Sequence, residues 1–165
     1  MLKKCYPKYC VNSVWDLTLE FYQKNNIKAV IFDIDNTLVT HTTPEPPKDL
    51  LQYFEILQSY GIKYAIASNN SKNRVETFCK NLNVPYIYRA FKPRKAPLKK
   101  LAKLFCVPYQ NICLVGDQLF TDILGANRMG FVSVVVTALG ENETGFVSFK
   151  RVFEKMIMKK YLTKK

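Results

Sequence analysis

The sequence predicts a doubly wound, Rossmann-like α/β fold: a parallel sheet of about five strands with helices on both faces and no large cap domain. Three observations carry this prediction. Apolar runs of strand length alternate with amphipathic helical stretches between residues 29 and 137. The runs are apolar throughout rather than every second residue, as in strands buried on both faces. Polar clusters follow the runs directly, which places them at the carboxyl ends of the strands, where open α/β sheets bind ligands.

A helix is expected over residues 13–25, where Ser13 and Asp16 have capping-box spacing and Val14, Leu17 and Phe21 recur on one face. Residues 29–34 read as a buried strand. After the proline-rich "TTPEPP", Leu50, Leu51, Phe54 and Leu57 mark a helix closed by Gly61. "KYAIAS" is a second strand, and "SKNRVETFCKNL" a helix capped by Ser71 with Val75, Phe78, Cys79 and Leu82 inward. "PYIY" is a short third strand, followed by a helix bearing Leu98, Leu101, Ala102 and Phe105. "NICLVG" is a fourth strand, "LFTDILGANRM" a short helix stopped at Gly130, and "FVSVVVT" a fifth strand.

No repeat, low-complexity tract or flexible linker divides the chain, so residues 1–165 are expected to form a single domain. Its parts are the helix 13–25, a core over 29–137 and a basic amphipathic helix over about 147–162. With 48% hydrophobic residues the chain has the composition of a globular protein. No apolar run approaches the roughly 18 residues of a membrane span. The N-terminus lacks a signal peptide's apolar stretch and cleavage site, so a cytoplasmic chain is expected. Cys5, Cys10, Cys79, Cys106 and Cys113 are scattered, with no CxxC pair and one histidine, which disfavours a zinc site and fits reduced thiols. The net charge of +12 calls for an anionic partner: a phosphorylated substrate, an anionic lipid surface or nucleic acid. No RNA-reading motif supports the last of these.

Two acids, Asp33 and Asp35, end the first strand in "AVIFDIDNTLVTH", and Asp117 ends the fourth in "VGDQLFTD", with Asp122 one helical turn beyond. Unpaired carboxylates cost several kcal/mol to bury, so they belong at the rim, compensated by a cation. Such a hard, oxygen-rich cluster suits Mg2+, which takes one or two carboxylates and completes its shell with water and phosphate. As a solitary feature, each Asp would be read as a turn residue or cap.

These segments resemble the four motifs of the haloacid dehalogenase (HAD) superfamily, in order: "DIDNTL", Ser68 in "IASNNS", a lysine near "FKPRK", and "GDQLFTD". "SNN", "KP" and "GDQxxTD" without large insertions further resemble the YqeG-type, subfamily IIIA phosphatases, a group related to phosphatidylglycerophosphate phosphatases. The resemblance implies Asp33 as nucleophile and Asp35 as general acid and base. It implies Mg2+ held by Asp33, the backbone carbonyl of Asp35 and Asp117, with Asp122 holding metal-bound water or orienting a neighbour. Ser68 and the amide of Asn69 would donate to phosphate. Lys92 and Lys95 compete for the phosphate-binding lysine, and Lys92 is preferred because it precedes proline.

Thr37 is expected to turn the chain locally, and His41 to be incidental in its turn. The connections leave no room for a lid and the zinc loop of some related phosphatases is missing, so a phosphate presented on something large is expected. Phosphatidylglycerophosphate is the leading substrate; a protein or nucleic-acid phosphate, or a binding module with little turnover, are the alternatives. In "FVSFKRVFEKMIMKKYLTKK", Phe149, Val152, Phe153, Met156, Ile157 and Tyr161 form an apolar stripe among lysines. It reads as packing on the domain, as lying at the inner face of an anionic membrane, or as both.

Overall fold

The computed structural model describes residues 2–140 together with Phe153, Glu154, residues 156–159 and Tyr161. Six parallel strands form one sheet: β1 (Tyr9–Val11), β2 (Ala29–Phe32), β3 (Lys63–Ala67), β4 (Tyr86–Ile87), β5 (Ile112–Gly116) and β6 (Val132–Val136). Their order across the sheet is β1-β6-β5-β2-β3-β4. The helices are α1 (Leu19–Lys24), α2 (Lys48–Ser59), α3 (Lys72–Cys79), α4 (Lys95–Phe105) and α5 (Leu124–Met129).

Side chains of a strand point alternately to its two faces, and both faces here are covered. Val30 and Phe32 of β2, with Tyr64, Ile66, Cys113 and Val115, pack under Tyr22 of α1, Leu50, Phe54 and Leu57 of α2, and Val75 and Phe78 of α3. Ala29 and Ile31, with Ala65, Ala67, Ile112 and Leu114, pack under Leu98, Leu101, Ala102 and Phe105 of α4 and Ala126 and Met129 of α5. The small alanines on the second face let α4 and α5 sit close. On the first, Phe54 stacks on Tyr64 with ring centroids 4.3 Å apart.

The chain runs outward from β2 through β3 to β4, then returns to place β5 on the other side of β2. The switch point therefore lies between β2 and β5, whose carboxyl ends carry Asp33 and Asp117. Phe32 is in register with Val115, and the Asp33 N–H continues the ladder to the Val115 carbonyl at 3.0 Å.

Several expectations are corrected. The helix expected over 13–25 is broken: a 3-10 turn spans Val14–Asp16, Leu17 leaves helical geometry with ψ 72°, and Thr18 caps α1 by accepting the Phe21 N–H at 3.3 Å. The strand expected over 29–34 ends at Phe32. β1, a sixth strand, was not expected; it is three residues long, incompletely buried, and formed by parallel pairing with β6. In "LFTDILGANRM" a π-helical turn, Leu119–Ile123, precedes α5.

Of the helix expected over about 147–162, residues 147–152, 155, 160 and 162 lie outside the described residues, while 153, 154, 156–159 and 161 are helical. The expected stripe is split. Ile157 and Met158 pack against Cys5, Leu119 and Ile123, and Tyr161 meets Tyr6, but Phe153 and Met156 are 46% and 63% exposed. Glu154 sets this rotation: its buried carboxylate accepts the Phe120 N–H at 3.2 Å. No helix among the described residues is long and apolar enough to cross a membrane.

Candidate active site

Asp33 leaves β2 buried, and three other segments bring side chains to it. Lys92, between β4 and α4, is 5% exposed and places its Nζ 2.7 Å from Asp33 Oδ1 and 2.6 Å from Asp122 Oδ1. Asp117 follows β5 and accepts the Thr37 hydroxyl at 3.3 Å. Asp122, inside the π-helical turn, accepts the Gln118 N–H at 3.2 Å and the Thr121 hydroxyl at 3.2 Å through Oδ2. Gly116 makes this placement feasible: a Cβ there would lie 2.2 Å from Asp122 Cγ, an overlap that the packed turn cannot relieve. π-turns inside helices occur often at functional sites, and here the turn aims a carboxylate back under the strand that precedes it.

The electrostatics follow from this crowding. Burial pushes the Asp33 carboxyl up to about 8, with Lys92 opposing and Asp122 and Asp117 adding to the shift. Burial by itself would lower the Lys92 pKa, but Asp122 and Asp33 outweigh it and hold the ammonium protonated. Three buried carboxylates, Asp33, Asp117 and Asp122, offer oxygens within 4.8 Å of one another, and the Lys92 ammonium contacts two of them. Asp122 Oδ1 is in ion-pair range of Lys92 yet lacks a hydrogen bond of acceptable geometry. A divalent cation would supply the missing positive charge, and an all-oxygen donor set fits Mg2+.

Asp35 belongs to a different cluster. Its Oδ1 accepts Arg74 Nε at 3.1 Å and a second guanidinium nitrogen at 3.0 Å, and its Oδ2 accepts Asn70 Nδ2 at 2.9 Å. His41 Nδ1 lies 3.3 Å from Asp35 Oδ1, so the expectation that this histidine is incidental is revised. Arg74 also donates to the Pro44 carbonyl at 2.9 Å and lies over the Phe78 ring, tying α3 to the loop between β2 and α2.

Ser68 is buried at the end of β3, its hydroxyl oxygen accepting the Asn70 N–H at 3.1 Å. Asn69 clamps the Lys92 backbone: its Oδ1 accepts the Lys92 N–H at 2.7 Å and its Nδ2 donates to the Lys92 carbonyl at 3.2 Å. Its side chain is thus engaged with the loop that carries Lys92. Lys95, the competing lysine, is exposed at the first position of α4. Thr37 does more than turn the chain, since it reaches Asp117. An open cleft of about 290 Å³ is lined by Asp33, Asp35, His41, Ser68, Asn69, Asn70, Lys92, Gln118 and Thr121.

Sequence reasoning missed Arg74 and Asn70. Asn70 lay in view beside Ser68, but Arg74 gave no signal: one cationic residue on a helix with other polar positions is ordinary until its partner is known.

The model of a family described as mitochondrial PGP phosphatase matches residues 2–139. A relative named probable phosphatase YqeG, from Bacillus subtilis, is 34% identical over 96% of this chain and 92% of its own length. Phosphatidylglycerophosphate phosphatase 1, chloroplastic/mitochondrial, from Arabidopsis thaliana is 24% identical over 96% of this chain, which spans 48% of that longer protein. Among solved structures, 3-deoxy-D-manno-octulosonate 8-phosphate phosphatase from Moraxella catarrhalis, in complex with magnesium and phosphate ions and KDO, superposes with TM-score 0.55 at 22% identity. The match covers 86% of this chain and 92% of that one. The cobalt-bound phosphatase YrbI from Haemophilus influenzae gives TM-score 0.56 at 17% identity, covering 82% and 89%.

Proposed function

The chain belongs to the mitochondrial PGP phosphatase family and is a HAD-type phosphatase, and from that premise we propose that it is a Mg2+-dependent phosphomonoesterase working through an aspartyl-phosphate on Asp33. The substrate is bulky or membrane-borne, of the phosphatidylglycerophosphate class. The observation that carries the mechanism is the meeting of Asp33, Lys92, Asp117 and Asp122 at the sheet's switch point.

In the first step a carboxylate oxygen of Asp33 attacks phosphorus in line, the P–O bond to the leaving group breaks, and Asp35 gives that oxygen a proton. In the second, Asp35 takes a proton from water, the water oxygen attacks phosphorus, and the bond to Asp33 breaks, releasing orthophosphate. Lys92 neutralises phosphoryl oxygens while keeping Asp33 close. Ser68 and the main-chain N–H of Asn69 donate to the same oxygens. Asp33, Asp117 and the backbone carbonyl of Asp35 would hold Mg2+, with Asp122 on its water shell or orienting Lys92. Bound there, the ion offsets the repulsion between a carboxylate and an anionic phosphate.

Arg74 is a positioning residue in this scheme. With Asn70 it fixes both oxygens of Asp35, so the carboxyl faces the cleft in one orientation. Proton transfer requires one of these contacts to loosen as the leaving oxygen arrives.

The substrate class draws support from the Arabidopsis relative's printed name, from the open cleft and from the +12 charge. The test is a phosphatase screen on purified protein that includes phosphatidylglycerophosphate in micelles, with excess chelator and Asp33→Asn as controls. Hydrolysis that needs added Mg2+ is expected. Turnover undiminished in chelator would overturn the mechanism, and hydrolysis of soluble esters alone would overturn the substrate class.

A further inference from the structure

Lys92 turns inward to Asp33, and its neighbour Phe91 is thereby turned out: 56% exposed, next to the deepest cation of the site. This loop is held firmly. The Arg89 and Ala90 N–H groups donate to the Asn70 and Ser68 carbonyls, the Arg94 N–H donates to the Phe91 carbonyl, and Arg128 reaches the Pro93 carbonyl at 3.3 Å. Within it, Arg89 and Phe91 both adopt positive φ, 44° and 49°. That conformation is unfavourable for a bulky residue and persists only where surrounding structure imposes it. The result is a preformed tip with an aromatic ring facing water and the Arg94 guanidinium 5.4 Å from the ring centroid.

Two other segments beside the site do the same. Leu139, 46% exposed, follows β6 and donates its N–H to the carbonyl of Asn36, the residue after Asp35. Phe153 and Met156 stand out from the helical segment that Glu154 fastens to Phe120, two residues before Asp122. Charge adds to this at the tip itself: Arg89 and Arg94 flank Phe91, and the stretch 77–116 that contains them holds eight Lys and Arg and no Asp or Glu.

We propose that Phe91, flanked by Arg89 and Arg94, is a wedge that docks the catalytic edge onto an anionic lipid leaflet, with Leu139, Phe153 and Met156 completing the apolar contact. This rests on the reading of the site as a phosphatase for a membrane-borne substrate and names the surface that brings it there. The partner's chemistry follows from the combination. An exposed ring between two guanidinium groups matches an interface with anionic headgroups above and acyl chains below, since guanidinium groups pair with phosphate in bidentate geometry. The ring enters beside Lys92, so a headgroup phosphate at the leaflet surface meets the cleft without leaving the membrane.

The test is flotation of the full chain with vesicles of phosphatidylcholine alone and of phosphatidylcholine with phosphatidylglycerol, in parallel with hydrolysis of p-nitrophenyl phosphate and of phosphatidylglycerophosphate in the same vesicles. Salt-sensitive binding to the anionic vesicles is expected. Phe91→Ser should weaken it at least tenfold and slow vesicle hydrolysis by a similar factor, leaving p-nitrophenyl phosphate turnover within twofold. Leu104→Ser, removing an equally exposed side chain near the far end of α4, should change neither. If Phe91→Ser also lowers soluble turnover, Leu139→Ser and Arg94→Glu replace it, with the same loss of binding required. Unchanged binding in all three variants overturns the wedge while leaving the phosphatase reading intact, as does wild-type protein that ignores anionic vesicles and binds nucleic acid or acidic protein. Loss of vesicle binding in a protein that hydrolyses neither ester supports the wedge and removes the phosphatase reading.

Discussion

Asp33 pairs with Lys92 from the loop before α4 and faces Asp117 and Asp122 from the segment after β5, whereas Asp35 is held by Arg74 of α3, Asn70 after β3 and His41 of its own loop. The first cluster is buried and short of positive charge. In the second, the carboxylate is ringed by donors and a cation, and one partner, His41, is 54% exposed. Two identical side chains, two residues apart, thus receive opposite environments, which suits the two different roles that the proposed mechanism gives them. Environment separates roles that residue type cannot.

Removing the reacting oxygen should break the comparison most completely. Asp33→Asn is expected to abolish phosphoryl trapping and to lower kcat by more than about 10²-fold, the scale for losing a positioned proton-transfer group. Asp35→Asn should fall by about that factor. Peptide mapping of acid-quenched protein checks the assignment, and a phosphoryl group on any other residue would refute it.

Lys92→Ala is expected next. It leaves Asp33 and Asp122 buried without their ammonium, a loss of about 3–5 kcal/mol on the scale of a broken buried pair. Urea unfolding should show this alongside loss of turnover, while Lys95→Ala, at an exposed position, should leave both near wild type. Equal effects at the two lysines would undo the distinction that geometry draws between them.

The third experiment sharpens the contrast through pH. The folded state raises the Asp33 carboxyl from its ordinary 3.8 to about 8, so folding binds its proton more tightly than the unfolded chain does. The stabilisation from this group is therefore present below about pH 4 and is lost as pH rises towards 8. Metal-free protein should have a lower Tm at pH 8 than at pH 5.5, and saturating Mg2+ should recover more at the higher pH. A Tm gain from Mg2+ that is larger at pH 5.5 would contradict the assignment of Asp33 as a ligand.

The smallest effect is expected from Arg74. Losing it removes two donors from Asp35 Oδ1 and loosens the carboxyl's orientation, so Arg74→Ala should lower kcat by about tenfold, part of the 10²–10⁴ that a positioned acid supplies, with KM little changed. Arg74→Lys should restore part of kcat, because one donor still reaches Oδ1. A rise in KM alone would identify Arg74 as a substrate contact instead.

Legibility in the sequence follows the same division. β2 to β6 were readable because each is a mainly apolar run with a polar stop, Asp33 and Asp117 because they stand at such stops, and Lys92 because it precedes a proline as the resemblance leads one to expect. β1 was not, since three residues beside a proline carry no period and gain strand geometry only from β6. The Leu17 break was hidden because Val14, Leu17 and Phe21 keep helical spacing across it. Arg74 and His41 are set by where the loop after β2 folds back on α3, which local pattern does not encode. The C-terminal stripe is split among the described residues: Ile157 and Tyr161 pack as its spacing leads one to expect, while the buried Glu154 carboxylate turns Phe153 and Met156 outward.

The return of the chain to place β5 beside β2 has a consequence in time. Asp33 and Asp35 are among the early residues made on the ribosome, but Lys92 lies 59 residues after Asp33, and Asp117 lies 80 after its partner Thr37. At about 5–20 residues per second, several seconds of synthesis separate Asp33 from the neighbours that surround it in the fold. Closing so long a loop is the entropically costly, slow part of forming such a sheet. Nascent chains therefore carry Asp33 apart from Lys92 and Asp117, and the cluster is complete only once both later segments have joined β2.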